Sequence, residues 1–197
     1  MKCHVCFRKC DIEDGKLGFC GARTVKDGVV VADNYGKLTS IALDPIEKKP
    51  LKRFYPESMI LSVGSYGCSL RCPFCQNHEI SWSDVAFSYK NRAEYYSPQE
   101  IASIAKRYES QGNIGVAFTY NEPLVGYELV RDTAKLVHAN GMKNVLVTSG
   151  NASISILREI APFIDAMNID LKGFTDSYYT DVIKGNRRMV MDFIVEA

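Results

Sequence analysis

The spacing of apolar residues changes character near residue 59. Beyond it, short runs of consecutive apolar residues alternate with longer stretches in which apolar residues recur every three or four positions. The runs "MILSVG" (59–64), "IGVAFT" (114–119), "KNVLVT" (143–148) and "AMNIDL" (166–171) have strand length and turn-forming flanks, the pattern of strands buried on both faces. Between them "SPQEIASIAKRYESQG" predicts a helix. Ser97 is its N-cap, Pro98 takes the first helical position, Glu100 completes a capping box and Gly112 is the stop. "PLVGYELVRDTAKLVHANG" predicts a second helix, opened by Pro123 and closed by Gly141, and "ASISILREIA" a third with Ile154, Leu157 and Ile160 on one face. Strands alternating with helices at about thirty residues per unit predict an α/β fold with a parallel sheet.

The first 58 residues read differently. Residues 1–25 are cysteine-rich with little periodicity, and "GVVVADNYGKLTSIALDP" predicts short strands broken at Asn34-Tyr35-Gly36. "IEKKPLKRFYPES" is basic and proline-punctuated, which predicts a solvated connector rather than a binding loop. The expected division is therefore a small Cys-rich metal-binding module with its connector at 1–58 and an α/β unit at 59–197. With 197 residues, 46% of them hydrophobic, the chain can bury a sizeable core. The formal net charge of +1 gives no field that would favour a polyanion, so nucleic acid is not an expected partner. "MKCHVCFRKCDIEDG" lacks the apolar core of a signal peptide, and no window approaches the ~20 apolar residues of a membrane span, so a cytoplasmic protein is expected.

All seven cysteines lie before residue 76, in two tight groups, which points to metal rather than disulfides. Cys68, Cys72 and Cys75 form C-x3-C-x2-C directly after the strand "MILSVG". Thiolates are soft ligands, and this loop is short enough to wrap three corners of an iron–sulfur cubane. The competing readings are zinc with His78 as fourth ligand, or a loop of free thiols. Cys3, Cys6, Cys10 and Cys20 form C-x2-C-x3-C-x9-C, enough for a closed four-sulfur site holding zinc or a second iron–sulfur cluster, with His4 a bystander. After the later strands come "YNEP" (120–123), "TSGN" (148–151) and "DLK" (170–172), all projected onto the edge of the sheet where α/β proteins gather their chemistry. Each has a plain structural alternative: Asn121 capping a helix that starts at Pro123, Asn151 capping the next one, and Asp170 with Lys172 as a surface ion pair.

The cysteine loop, with Phe74 directly before Cys75, resembles the signature of the radical SAM superfamily. That resemblance implies a partial (β/α) barrel and a [4Fe-4S] cluster on Cys68, Cys72 and Cys75, whose open iron is chelated by S-adenosylmethionine. "NEP" is similar to a Gly-Gly-Glu-Pro motif of that superfamily, which would set Glu122 at the methionine amino group, with Asn121 departing from the glycine. "DLK" is similar to a segment of the glycyl-radical activating enzymes, which would set Asp170 and Lys172 beside the cosubstrate; Thr148 and Ser149 would face its ribose. The N-terminal cysteines with "CGAR", "DPIEKKPL" and "CQN" together resemble the radical SAM enzyme of the AmmeMemoRadiSam system, related to the pyruvate formate-lyase activating enzymes. Phe7-Arg8 departs from the Pro-His pair expected there.

The implied activity is reductive cleavage of S-adenosylmethionine to a 5′-deoxyadenosyl radical that abstracts hydrogen from a substrate the sequence does not identify. An electron donor of flavodoxin or ferredoxin type is the implied partner. Two alternatives stand beside it: an activase that installs a glycyl radical in a partner protein, and a non-catalytic zinc-binding module contacting RNA through "EKKPLKR". The superfamily barrel has six strands, against four counted from Met59. A fragment of a longer protein is therefore expected, with Met189, Phe193 and Ile194 lacking the strand they would cover.

Overall fold

The computed structural model describes residues 1–197. After an irregular cysteine-bearing start, β1 (Arg23–Lys26) and β2 (Val29–Ala32) form an antiparallel hairpin. Its turn residues Asp27 and Gly28 both have positive φ, 51° and 73°, the backbone that matches strand twist in a two-residue turn. Then come β3 (Lys37–Leu38), β4 (Ser40–Pro45) and β5 (Met59–Gly64). The short helix α1 (His78–Ser81), α2 (Asp84–Arg92) and β6 (Glu94–Tyr95) follow the cysteine loop. The remainder alternates: α3 (Pro98–Arg107), β7 (Asn113–Phe118), α4 (Tyr127–Ala139), β8 (Lys143–Thr148), α5 (Ile154–Ile160), β9 (Ala166–Ile169) and α6 (Arg187–Glu196).

The main sheet has the order β4-β5-β7-β8-β9, in which β5, β7, β8 and β9 are parallel and β4 pairs antiparallel with β5. The four strands expected after residue 59 are these four parallel strands. The capping box that starts α3 is formed: Ser97 Oγ accepts from the Glu100 N–H (3.2 Å) and Glu100 accepts from the Ser97 N–H (2.7 Å). Gly112 takes the left-handed conformation, φ 84°, after one 3-10 turn. Where β5 and β7 slip register near Met59, the Asn113 side chain repairs the ladder by accepting from the Leu61 N–H (2.8 Å) and donating to Ala105 O (2.7 Å).

Strand alternation divides the sheet into two faces. Leu61, Val63, Val116, Phe118 and Leu146 meet the apolar stripes of α3, α4 and α5, and Cys3, Val5, Ile12 and Val25 from the N-terminal segment join the same core. The core thus runs across residue 58. On the opposite face Ile60, Ala117 and Val145 are covered by Ile46, with Leu51 and Phe54 packed against them. The segment read as a solvated connector is thus partly a plug on the inner face of the sheet. Even Lys49 is buried there, 2% exposed, with its ammonium 2.9 Å from Asp44 Oδ2. A lysine-rich string looks solvated because its burial depends on one carboxylate, Asp44, held on β4 by long-range pairing.

One element is new and one expectation changes. Helix α2 was not foreseen, because it buries only Ala86 and so lacks an apolar stripe; its start is set by Ser83, whose Oγ accepts from the Ala86 N–H. Phe193 does not lack a cover: it is fully buried in the main core, and Ile194 packs beside Leu70 and Tyr179. No helix is long and apolar enough to cross a membrane.

Candidate functional site

The carboxyl ends of β5, β7, β8 and β9 open into one cavity of about 340 Å³, lined among others by Cys68, Cys72, Cys75, Phe74, Asn121, Glu122, Thr148, Ser149, Asp170 and Lys172. Its volume lies in the ~300–1,000 Å³ range of small-molecule sites. Residues from four separated segments converge because parallel strands end on the same edge.

Glu122 is the most tightly held of them, 4% exposed. One carboxylate oxygen accepts from Thr148 Oγ1 (2.6 Å) and the Leu124 N–H (3.1 Å). The other accepts from the Ser149 N–H (2.9 Å) and Ser149 Oγ (2.6 Å). The Leu124 contact makes Glu122, not Asn121, the cap of the 3-10 turn Pro123–Gly126. Capping and site placement thus coexist in one side chain. The Thr148 and Ser149 hydroxyls, expected to face a ribose, donate to Glu122. Asn151 does not cap α5, whose N-cap is Ser153; it donates to Asn186 O at 3.4 Å.

Asn121 faces the cysteine loop. Its Nδ2 donates to Tyr66 O (3.2 Å) and Gly67 O (3.1 Å), and its Oδ1 accepts from the Ser65 N–H (3.0 Å). A glycine there would make none of these bonds, so the departure from the motif is used to brace the loop. Tyr120, at φ 73°, turns its hydroxyl onto Asp44 (2.6 Å) while its carbonyl accepts from Asn77 Nδ2 (3.1 Å). Tyr120, Asn77 and Trp82 all line the cavity and were not singled out from the sequence. Tyr120 and Asn77 lie inside the quoted motifs, but nothing local signals their pairing.

Asp170 and Lys172 form an ion pair, Nζ to Oδ2 2.9 Å, in which Lys172 is 23% and Asp170 44% exposed. Burial works against the Lys172 ammonium, yet the hydrogen bond and charge of Asp170, with the Cys72 and Glu122 charges, outweigh it and raise its pKa. The Lys172 N–H donates to the hydroxyl of fully buried Tyr179 (3.0 Å), which fixes the loop. Phe74 sits at the cavity rim, 53% exposed. His78 is outside the lining; its Nδ1 lies 3.2 Å from Cys75 O.

Burial pushes the Cys68 thiol up, with the Glu122 charge adding to it, and raises Cys72 to about 11, against the pull of Lys172. Thiolate ligation at neutral pH therefore needs a cation to supply the missing positive charge. No three His, Cys, Asp or Glu side chains are drawn together for a single ion. A cubane takes each thiolate on a separate iron, so three thiols spaced around one cavity fit that group. Cys3, Cys6, Cys10 and Cys20 line a separate cavity of about 10 Å³.

Comparison with known proteins agrees with this geometry. The model of the radical SAM superfamily matches residues 62–197. An uncharacterized protein of Methanocaldococcus jannaschii is 40% identical over 193 residues, covering 98% of this chain and 55% of that protein. A GTP 3′,8-cyclase of Staphylococcus aureus is 27% identical over 133 residues, covering 66% of this chain and 37% of the cyclase. The chain thus spans about half the length of the first relative and less of the second. With three cysteines and a buried glutamate meeting at the strand ends inside the matched region, the chain belongs to the radical SAM superfamily.

Proposed function

We propose that Cys68, Cys72 and Cys75 hold a [4Fe-4S] cluster, that S-adenosylmethionine binds beside it, and that the protein is a radical SAM enzyme of the AmmeMemoRadiSam type. The observation that carries this reading is the shared cavity: three thiols, a Glu122 carboxylate oriented by four donors, and the Asp170–Lys172 pair all line it. When bound, the cluster and cosubstrate supply one-electron cleavage of a carbon–sulfur bond and hydrogen-atom abstraction from substrate.

The residues of the chain bind and orient. Glu122 holds its carboxylate in a fixed position, and because its acceptor positions are taken by Thr148, Leu124 and Ser149, it accepts from an ammonium when the Thr148 or Ser149 hydroxyl turns its proton away. Lys172 is a donor for a carboxylate, steadied by Asp170 and Tyr179. Thr148 and Ser149 act through Glu122 by holding its two oxygens. Asn121 keeps the peptides of Tyr66 and Gly67 aligned so that Cys68 faces the cavity. Phe74 and Trp82 contribute apolar surface that limits water. A one-electron donor of the flavodoxin or ferredoxin class is the partner this reading requires.

The test is anaerobic reconstitution with iron and sulfide, followed by electron paramagnetic resonance of the reduced protein with and without S-adenosylmethionine. The expected result is a cubane signal that changes when the cosubstrate is added and disappears in Cys72→Ala. Failure to assemble a cluster, or a signal indifferent to the cosubstrate, refutes the reading.

A further inference from the structure

Where the N-terminal segment meets the cysteine loop, two arginines stack on one phenylalanine. We propose that Arg8 and Arg71, on the two faces of Phe19, are the fixed counter-charge of the loop and raise the reduction potential of the cluster on Cys68, Cys72 and Cys75, the reading on which this inference rests. Neither touches reacting atoms, so both are positioning residues.

The Arg8 guanidinium is 3.3 Å and that of Arg71 3.9 Å from the Phe19 ring centroid. Approach from the ring edge cannot bring a carbon so close, and one face has room for one guanidinium, so the cations occupy opposite faces. Like charges held this near repel, and both side chains are partly buried, where an unpaired charge is costly. Other buried or partly buried cations are met by carboxylates: Arg23 by Glu128, Lys49 by Asp44 and Lys172 by Asp170. Arg8 and Arg71 are met by carbonyl oxygens instead. Arg8 donates to Ser69 O (3.1 Å) and to Lys184 O. Arg71 donates to Phe19 O (2.6 Å), Leu70 O (2.7 Å) and Cys68 O (2.9 Å). Two adjacent cations without a carboxylate need an anion from another source.

Sulfur is the anion within reach. Arg71 directly precedes Cys72 and grips the Cys68 peptide. Burial lowers the pKa of both guanidiniums; the charges that act against it are Cys68 and Cys20 for Arg71, and Cys6, Cys10, Cys20 and Cys68 for Arg8. Three thiolates make a cubane anionic, and reduction adds one more negative charge. A fixed cation stabilises the reduced state more than the oxidised one, which raises the potential. The Leu70 N–H, 3.4 Å from Cys68 Sγ, acts in the same direction. Arg71 has the larger effect, because Cys68 is the foremost sulfur acting on it, whereas the N-terminal cysteines come first for Arg8. The N-terminal segment thus supplies Arg8 and the ring that holds Arg71. It is fastened there by the Cys68 N–H, which donates to Cys20 O (3.1 Å).

The experiment is a potentiometric titration of the reconstituted whole chain, followed by electron paramagnetic resonance, in wild type, Arg71→Met, Arg71→Lys, Arg8→Met and Lys106→Met. Methionine keeps an apolar stem over Phe19 and removes the charge. Arg71→Met and Arg8→Met should each move the midpoint to a more negative potential, Arg71→Met by more. Arg71→Lys keeps the charge but loses the fork that binds the carbonyls, so its midpoint should stay near that of wild type while its melting temperature falls with that of Arg71→Met. Lys106 is exposed, paired with Glu109 and placed beside the start of β7, at the opposite edge of the sheet from the cavity; Lys106→Met should leave the midpoint unchanged. Equal midpoints in wild type and Arg71→Met, or equal shifts in Arg71→Lys and Arg71→Met, refute the assignment of charge. If the Arg71 variants assemble no cluster, Arg8→Met decides, and an unchanged midpoint there overturns the proposal. A wild-type chain that assembles no cluster refutes the cluster reading and the proposal with it.

Discussion

Replacing Glu122 by glutamine should destabilise the chain even without any ligand. Each carboxylate oxygen takes one hydroxyl and one backbone N–H: Thr148 Oγ1 with Leu124 N–H, and Ser149 Oγ with Ser149 N–H. Glutamine offers one acceptor oxygen and one donor NH2. A hydroxyl can rotate to accept, but a backbone N–H cannot. In either orientation of the amide one backbone N–H therefore faces another donor, in a site 4% exposed. One buried unsatisfied donor costs about 1–3 kcal/mol, and the surviving bonds lose their charge assistance, so the total should be about 2–4 kcal/mol. The assay is urea unfolding at pH 7 under reducing conditions at matched metal content, followed by the fluorescence of the single tryptophan, Trp82. The midpoint should fall with the slope unchanged. A loss below about 1 kcal/mol would refute the assignment of Glu122 as a four-donor hub.

Lys49→Met leaves Asp44 short of its buried partner and should cost about 3 kcal/mol, read as a melting temperature lower by about 6–12 °C for a chain of this size. The same variant should flatten the acid limb of the stability curve. Burial alone would raise the Asp44 pKa, but hydrogen bonds from Lys49, Tyr120 and Lys48 outweigh it and hold the carboxyl well below the usual range. That stability is present above the unfolded value of about 3.9 and is lost as pH falls through the folded one; equal acid limbs in the two proteins would count against it. Gly67→Ala forces a left-handed alanine against Ala22 and Cys20 O, a cost of about 1–3 kcal/mol from backbone strain alone, seen in thermal melts; Gly112→Ala, where the added Cβ would meet nothing nearer than 3.8 Å, controls for strain without the clash. Ser97→Ala removes half of the capping box and should cost about 1 kcal/mol, whereas Ser97→Asp should restore most of it.

How much of the site was legible follows from how local each signal is. The C-x3-C-x2-C loop, "YNEP" and "DLK" were visible because each is a short string placed at a strand end, and strand ends could be counted from apolar runs. Their meeting in one cavity follows from parallel order alone. What each side chain does there was not legible. Thr148 and Ser149 are engaged by Glu122, 26 and 27 residues earlier in the chain, and Asn121 reaches back 54 residues to Gly67. No periodicity or spacing encodes those pairings. Lys49 was misread for the same reason, since Asp44 and the inner face of the sheet together bury it.

By itself, then, the sequence determined the strand–helix alternation, the caps of α3, the two cysteine groups and the edge of the sheet on which the chemistry lies. Those depend on residues within a few positions of one another, where backbone geometry and side-chain periodicity act directly. The tertiary structure alone decided that β4 joins the parallel sheet, that residues 46–54 plug its inner face, that Glu122 is held by four donors, and that Cys20 is hydrogen-bonded to Cys68. Each of these is a contact between segments far apart in sequence. Such contacts exist only once the whole core has excluded water and made an unpaired buried group too costly to leave.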